Sequence, residues 1–288
     1  MKHLVIISGK GGTGKTTLTA SFCALARQTV CVDCDVDAAD MHLLLHPQIR
    51  TSADFYGGKY AVIARQACTQ CGKCRELCRF DAVTPGFTAD IFSCEGCGLC
   101  AAKCPAKAIT MRDRLSGKWF ISDTAFGPLV HAELGIGEEN SGKLVSKIKE
   151  AAFDLARERR SKLLIADGPP GTGCPVMASL SGADLAVIVT EPTLPAMHDM
   201  KRAAQTAAHF NIRSAVIINK WDINHENAEA IEAYCRDNKI PVAGRISFSQ
   251  AAGKAISAGI PLVQYGDKQL SDEITAVWLK IQELINAA

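Results

Sequence analysis

The sequence predicts a doubly wound, mostly parallel α/β sheet interrupted by a small α+β insert. Three observations predict it. Short β-branched apolar runs alternate with helical patterns along most of the chain. A glycine-rich turn follows the first of those runs. Between about Tyr60 and Arg112 the alternation stops and cysteines crowd the chain. Near-continuous apolar strands separated by helices belong to parallel sheets covered on both faces.

The predicted strands are Leu4–Ser8, Val30–Asp33, Leu163–Asp167, Leu185–Thr190, Ala215–Asn219 and Val242–Arg245. Each is short and apolar with little polar alternation, as a strand buried on both faces requires. Helical patterns lie near Lys15–Gln28, Ser141–Arg159, Pro195–Phe210 and Asn227–Asn238. A last helix over Ser271–Ala288 carries an apolar stripe at Ile274, Val277, Trp278, Ile281, Leu284 and Ile285, suited to packing on the host domain. Its polar face holds Asp272, Glu273 and Glu283 against Lys280 alone, the reverse of a basic membrane-surface helix.

Composition narrows the classes. The 288 residues, 48% hydrophobic, suffice for one large domain with a small module. With 32 basic and 30 acidic residues the net charge is +2, which argues against a nucleic-acid partner. No apolar run approaches the roughly 18 residues of a membrane span, so no membrane partner is expected. Met1-Lys2-His3 passes straight into Leu4–Ile7, too short for a signal-peptide core, and a cytoplasmic protein is expected. In a reducing compartment, clustered cysteines among a total of 13 point to metal binding.

Residues Gly9-Lys10-Gly11-Gly12-Thr13-Gly14-Lys15-Thr16, with Thr17 following, satisfy the phosphate-loop pattern between a strand and a helix. Backbone amides there cradle phosphate oxygens at a helix N-terminus. Lys15 is placed to reach the β- and γ-phosphates and Thr16 to give a hydroxyl to Mg²⁺.

The spelling KGGTGKTT resembles the deviant Walker A motif of the superfamily that includes the nitrogenase iron protein, MinD, the ParA partition ATPases and the Mrp-type cluster carriers. The resemblance implies ATP and Mg²⁺ as ligands. It implies that Lys10 reaches the partner subunit's nucleotide in a dimer closed by ATP, formed with an identical chain or a paralogue. Asp33-Cys34-Asp35-Val36-Asp37, with Asp40 nearby, resembles the first switch, Asp35 matching the residue that orients the attacking water. Asp167-Gly168-Pro169-Pro170-Gly171-Thr172-Gly173 resembles the second, with Asp167 as the Walker B carboxylate that holds Mg²⁺. Asn219-Lys220 resembles the place where an asparagine amide recognises adenine.

Within the insert, Cys68, Cys71, Cys74 and Cys78 recur 26 positions later as Cys94, Cys97, Cys100 and Cys104. Both runs have the bacterial ferredoxin spacing, in which the fourth cysteine ligates the other cluster. One [4Fe–4S] cluster is therefore assigned to Cys68, Cys71, Cys74 and Cys104, the other to Cys94, Cys97, Cys100 and Cys78. Arg79 stands where the second run has Pro105. Structural zinc, which takes four ligands from two CxxC pairs, fits two complete runs poorly. The boundaries expected are 1–58 and 113–288 for the nucleotide domain and 59–112 for the ferredoxin-like insert.

Cys174 lies seven residues after Asp167. The nitrogenase iron protein has at this spacing a ligand to a cluster shared between subunits, which implies a third, inter-subunit cluster. The matching loop, Gly135-Ile136-Gly137-Glu138, lacks the second cysteine such a cluster needs. His131, Glu133 and Glu138 lie in the same connection. The leading expectation is an ATPase that couples nucleotide state to electron transfer toward a redox or metalloprotein partner. Iron–sulfur or metal-centre assembly comes second, although the CxxC pair of Mrp-type carriers is absent. A MinD/ParA-like positioning ATPase comes third.

Overall fold

In the first strand, Leu4, Val5, Ile6 and Ile7 are all fully buried. Leu4 and Ile6 enter the core on one face, and the pleat turns Val5 and Ile7 to the other. A strand buried on both faces fixes the doubly wound architecture. The computed structural model describes residues 1–138 and 142–287.

In chain order the elements are β1 (Lys2–Ser8), α1 (Lys15–Leu25), β2 (Thr29–Asp33), α2 (Met41–Leu45), β3 (Gln48–Ile63), α3 (Lys73–Glu76), α4 (Leu99–Ala102), β4 (Ile109–Thr124) and β5 (Gly127–Leu134). There follow α5 (Lys143–Glu158), β6 (Leu163–Pro170), α6 (Cys174–Leu180), β7 (Leu185–Thr190), α7 (Leu194–His209), β8 (Ser214–Asn219), α8 (His225–Asp237), β9 (Val242–Ile246), α9 (Gln250–Ala258) and α10 (Lys268–Asn286). The sheet runs β3-β4-β5-β2-β6-β1-β7-β8-β9, and the ladders from β5 to β9 are parallel. Caps are local: Thr193, Asn224, Ser249 and Asp267 each accept a backbone N–H at the start of α7, α8, α9 and α10.

The six predicted strands are all present. The predicted helices are present with ends moved by one to three residues, Ser141 and Ala288 lying outside the described residues. Eight of the described elements were not predicted from the sequence: β3, β4, β5, α2, α3, α4, α6 and α9. Much of β3 is exposed, so no apolar run announces it. Trp278 of α10 stacks on Phe22 of α1, with ring centroids 5.4 Å apart, and the α10 stripe joins the main core as predicted. Among the described residues no helix is long and apolar enough to cross a membrane.

The chain divides into two compact units. The first comprises 1–52, 119–133 and 140–288, and the second 53–118 with 134–139. The sequence placed the insert at 59–112; the second unit also takes in parts of the long strands β3 and β4 and the 134–139 segment. Within it the cysteine repeat is also a backbone repeat. Left-handed residues recur 26 apart as Gln70 and Gly96, Gly72 and Gly98, Asp81 and Lys107. Gly72 and Gly98 each open a single helical turn, α3 and α4. The unit's buried core is small: Ala61, Ala82, Cys94 and Ile109.

His3 is buried in β1 edge-on to Phe153, its Nδ1 3.2 Å from the Gly182 carbonyl. Burial, and after it the Lys149 charge, lowers this imidazole to about 4. Between about pH 4 and 6.5 the unfolded chain carries a proton there that the folded chain refuses. Stability therefore rises with pH across that window, by about 3 kcal/mol for this group. Urea unfolding at pH 4.5 and 7 is expected to show the loss on acidification, with a shallower dependence in His3→Gln.

Candidate functional site

Three central strands, β2, β6 and β1, end side by side, and their C-terminal ends carry the charged residues. Asp33 and Asp167 face each other across the β2–β6 ladder. The phosphate loop leaves β1, and Gly171 N–H returns to the Ser8 carbonyl at 2.9 Å. Open parallel sheets place ligands at this edge. At Gly14 the left-handed backbone admits no side chain, because a Cβ would stand 2.5 Å from the Asn219 amide nitrogen.

The sequence-predicted residues converge here. Lys15 donates to Asp35 at 3.2 Å and to Asp167 at 3.1 Å, with the lysine and Asp167 side chains 6% and 0% exposed. Thr16 hydroxyl donates to the same Asp167 oxygen at 2.7 Å. Cys34 N–H donates to the Asp167 carbonyl at 2.8 Å, joining the two switch segments. Asn219 donates to the Thr13 carbonyl at 2.7 Å and accepts the Lys220 N–H, so its amide straps the phosphate loop. Thr13 hydroxyl is buried without a partner among the described residues. Asp37 and Asp40 are exposed on the following turn, Asp40 opening α2.

Charge balance explains the titration behaviour. Desolvation works against the Lys15 ammonium, but Asp167, Asp35 and Asp33 overcome it and its pKa is raised. Burial raises Asp35, with Lys15 pulling the other way. Asp33, fully buried, is pushed well up by desolvation and then by Asp167, while its oxygens accept the Asp35 and Met41 amides.

Several residues carried no sequence signal. Thr19, one turn past Lys15, donates to the other Asp167 oxygen at 2.8 Å. Glu191, just past β7, binds Lys10 at 2.6 Å and Lys220 at 3.1 Å. Burial raises Glu191, but the two lysines outweigh it and the carboxyl lies below its usual range. Lys149 of α5, buried, donates to the carbonyls of Ala178, Ser179 and Ser181 at 2.9, 2.7 and 2.7 Å, at the end of α6. The spacing that signals a helix face says nothing of a carbonyl cluster on another helix.

In the second unit, Cys68, Cys71, Cys74 and Cys104 line one cavity, and Cys78, Cys94, Cys97 and Cys100 another. Gln70 and Ala108 donate backbone N–H bonds to the Cys68 and Cys104 sulfurs at 3.4 and 3.3 Å. Among the described residues no three His, Cys, Asp or Glu side chains gather tightly enough for a single metal ion. Cys174 is exposed at the first position of α6. Glu138, in the Gly135–Glu138 loop, pairs with Arg114, and His131 bonds Ser122.

Fold and site together define a P-loop nucleotide-binding α/β protein. Residues 4–262 match the CobQ/CobB/MinD/ParA nucleotide binding domain, and the chain belongs to that family. Membership supports ATP binding and ATPase activity. An uncharacterized protein of Methanocaldococcus jannaschii is 32% identical over 98% of this chain and 97% of its own. An uncharacterized ATP-binding protein of the same organism is 24% identical over 96% and 86%. Among solved structures, the cell division ATPase MinD of Pyrococcus furiosus superposes with a TM-score of 0.61 at 17% identity, over 98% of this chain and 99% of that one. The septum site-determining MinD of Pyrococcus horikoshii, complexed with Mg-ADP, gives 0.60 at 15%, over 99% and 98%.

These findings correct the function expected from the sequence. The solved structures that the chain resembles are named as a cell division ATPase, a septum site-determining protein and a ParA family ATPase, and none of those names carries electron transfer or metal-centre assembly. Cysteine spacing reports which groups sit together, and carries no information about what passes through them.

Lys15 is the sole cation bonded to the Asp35 and Asp167 carboxylates among the described residues. Lys15→Met is expected to destabilise the fold by about 3–5 kcal/mol at pH 8, as removal of one partner from buried ions does. The loss shrinks toward pH 5, because the stranded carboxylates then take up protons in the folded state. Denaturant midpoints of both proteins at the two pH values check this.

Proposed function

We propose that this chain is a nucleotide-operated positioning ATPase of the MinD/ParA kind. Mg²⁺-triphosphate closes two subunits, identical or paralogous, the closed pair holds a partner protein, and hydrolysis releases it. The observation that carries this reading is the convergence of Lys15, Thr16, Asp35 and Asp167 on one buried point at the sheet edge.

Each residue has a task that its surroundings suit. The phosphate-loop amides and Lys15 hold the β- and γ-phosphates. Thr16 and Asp167 hold Mg²⁺, with Thr19 fixing the Asp167 carboxylate from behind. Asp35, raised in pKa by burial, accepts the proton side of the attacking water and orients it. Lys10 serves the partner's nucleotide. In the resting chain Glu191 occupies it, so triphosphate binding must exchange one anion for another.

The second unit is proposed to carry two resident [4Fe–4S] groups, one on Cys68, Cys71, Cys74 and Cys104, the other on Cys78, Cys94, Cys97 and Cys100. The two cysteine-lined cavities and the amides aimed at sulfur support this. When bound, each group cross-links four thiolates and so contributes folding energy to a unit with a small core.

With Mg-ATP, Asp35→Ala is expected to sediment as a dimer while losing at least about a hundredfold in turnover. Lys10→Ala stays monomeric. A monomer under every condition defeats the proposal. Anaerobic reconstitution is expected to give about eight irons per chain and about four in Cys104→Ser. Iron content that is low and unaffected by the substitution counts against the clusters.

A further inference from the structure

β1 and β7 are parallel neighbours, with Ile7 opposite Ile188, so the phosphate loop and the segment after β7 leave the sheet side by side. Lys10 stands on the first and Glu191 on the second, and their charged groups meet at 2.6 Å. The backbone under each is fixed. Gly9 lies so close to the main chain of Asp199 in α7 that no Cβ fits between them, and the Ser8 hydroxyl donates to the Lys10 carbonyl at 2.8 Å. On the other side Thr193 N–H donates to the Glu191 carbonyl at 2.7 Å, and Asn227 donates to the Pro192 carbonyl at 3.1 Å. The part left free to move is the Lys10 side chain, a long flexible stem that is 34% exposed against 15% for Glu191.

Glu191 does not depend on Lys10 alone. Its other oxygen takes Lys220 at 3.1 Å, and the same ammonium donates to the Gly12 carbonyl at 3.2 Å. Breaking a shielded ion pair is costly chiefly because it strands the charge left behind. Here the carboxylate keeps a cation when Lys10 departs, so the pair can open without stranding it. Lys10 has no such second partner: Glu191 is the acid bonded to it among the described residues. The arrangement is therefore one-sided, a carboxylate held permanently by Lys220 and a mobile lysine held by that carboxylate. On the reading above, Lys10 serves the partner's nucleotide in the closed pair. It cannot do so while its ammonium stays on Glu191 of its own subunit.

We infer that Glu191 is a latch on Lys10, which holds the lysine within its own subunit and so sets how readily two nucleotide-loaded subunits close. The inference rests on the dimerising-ATPase reading above and adds its regulation. The alternative is a structural ion pair that steadies the phosphate loop. The two differ in sign: removing a steadying contact weakens closure, whereas removing a latch strengthens it.

The test is sedimentation velocity of the full chain with Mg²⁺ and saturating AMP-PNP, a triphosphate analogue that resists hydrolysis, read as the dimer Kd. Each closing pair opens two latches, so at about threefold or more for each, Glu191→Gln is expected to lower the dimer Kd at least about tenfold. Glu191→Asp keeps the charge but draws it back from Lys10, and its Kd is expected between those of the other two proteins. Lys10→Ala combined with Glu191→Gln stays monomeric, because the gain acts through the freed lysine. Binding of a fluorescent N-methylanthraniloyl-ADP probe is the control for folding and for the phosphate loop. If Glu191→Gln loses that probe, Glu191→Asp decides by the same sign. A dimer Kd unchanged or raised overturns the inference, as does a double variant that dimerises as well as the single one. Wild-type and variant chains that all bind AMP-PNP and all remain monomeric overturn the dimerising-ATPase reading along with it.

Discussion

One ammonium group governs the nucleotide edge of this protein. Lys15 lies between Asp35 and Asp167, with Asp33 behind them, in a place that excludes solvent. Such carboxylates are costly to bury unless a cation shares the site. The sheet order puts β2, β6 and β1 together, and that adjacency obliges three carboxylates from two strand ends and one basic loop to meet. Asn219, Thr19 and the Cys34 amide then fix the surrounding groups, so the phosphate loop and both switch segments form one bonded network.

The second unit rests on a different principle. Its buried apolar residues are few, and three of its turns place Gln70, Asp81 and Lys107 in the left-handed region at a cost of about 1–2 kcal/mol each. Small units with so little core depend on cross-links. The clusters proposed for its eight thiols would supply such cross-links, and the left-handed backbone positions repeat along with the cysteine spacing.

Legibility followed the physics of each feature. The buried strands were readable because a strand covered on both faces must be apolar throughout, as Leu4–Ile7 and Leu185–Val189 are. The exposed β3 leaves no such trace. The phosphate loop, Asp35, Asp167 and the cysteines were readable because their chemistry depends on spacing along the chain. Glu191, Lys149 and Thr19 act through partners far off in sequence, and single-residue chemistry is too common to mark them. Function failed where motif was read as purpose: thiol spacing defines a binding set, and the surrounding scaffold is the CobQ/CobB/MinD/ParA nucleotide binding domain.

Lys149 has a mechanical consequence. Its ammonium holds three carbonyls at one end of α6, while the opposite end begins at Cys174, directly after the glycine-rich segment 171–173. A helix tied at its tail cannot slide along its neighbour, so α5 and the C-terminal end of α6 are held as one piece.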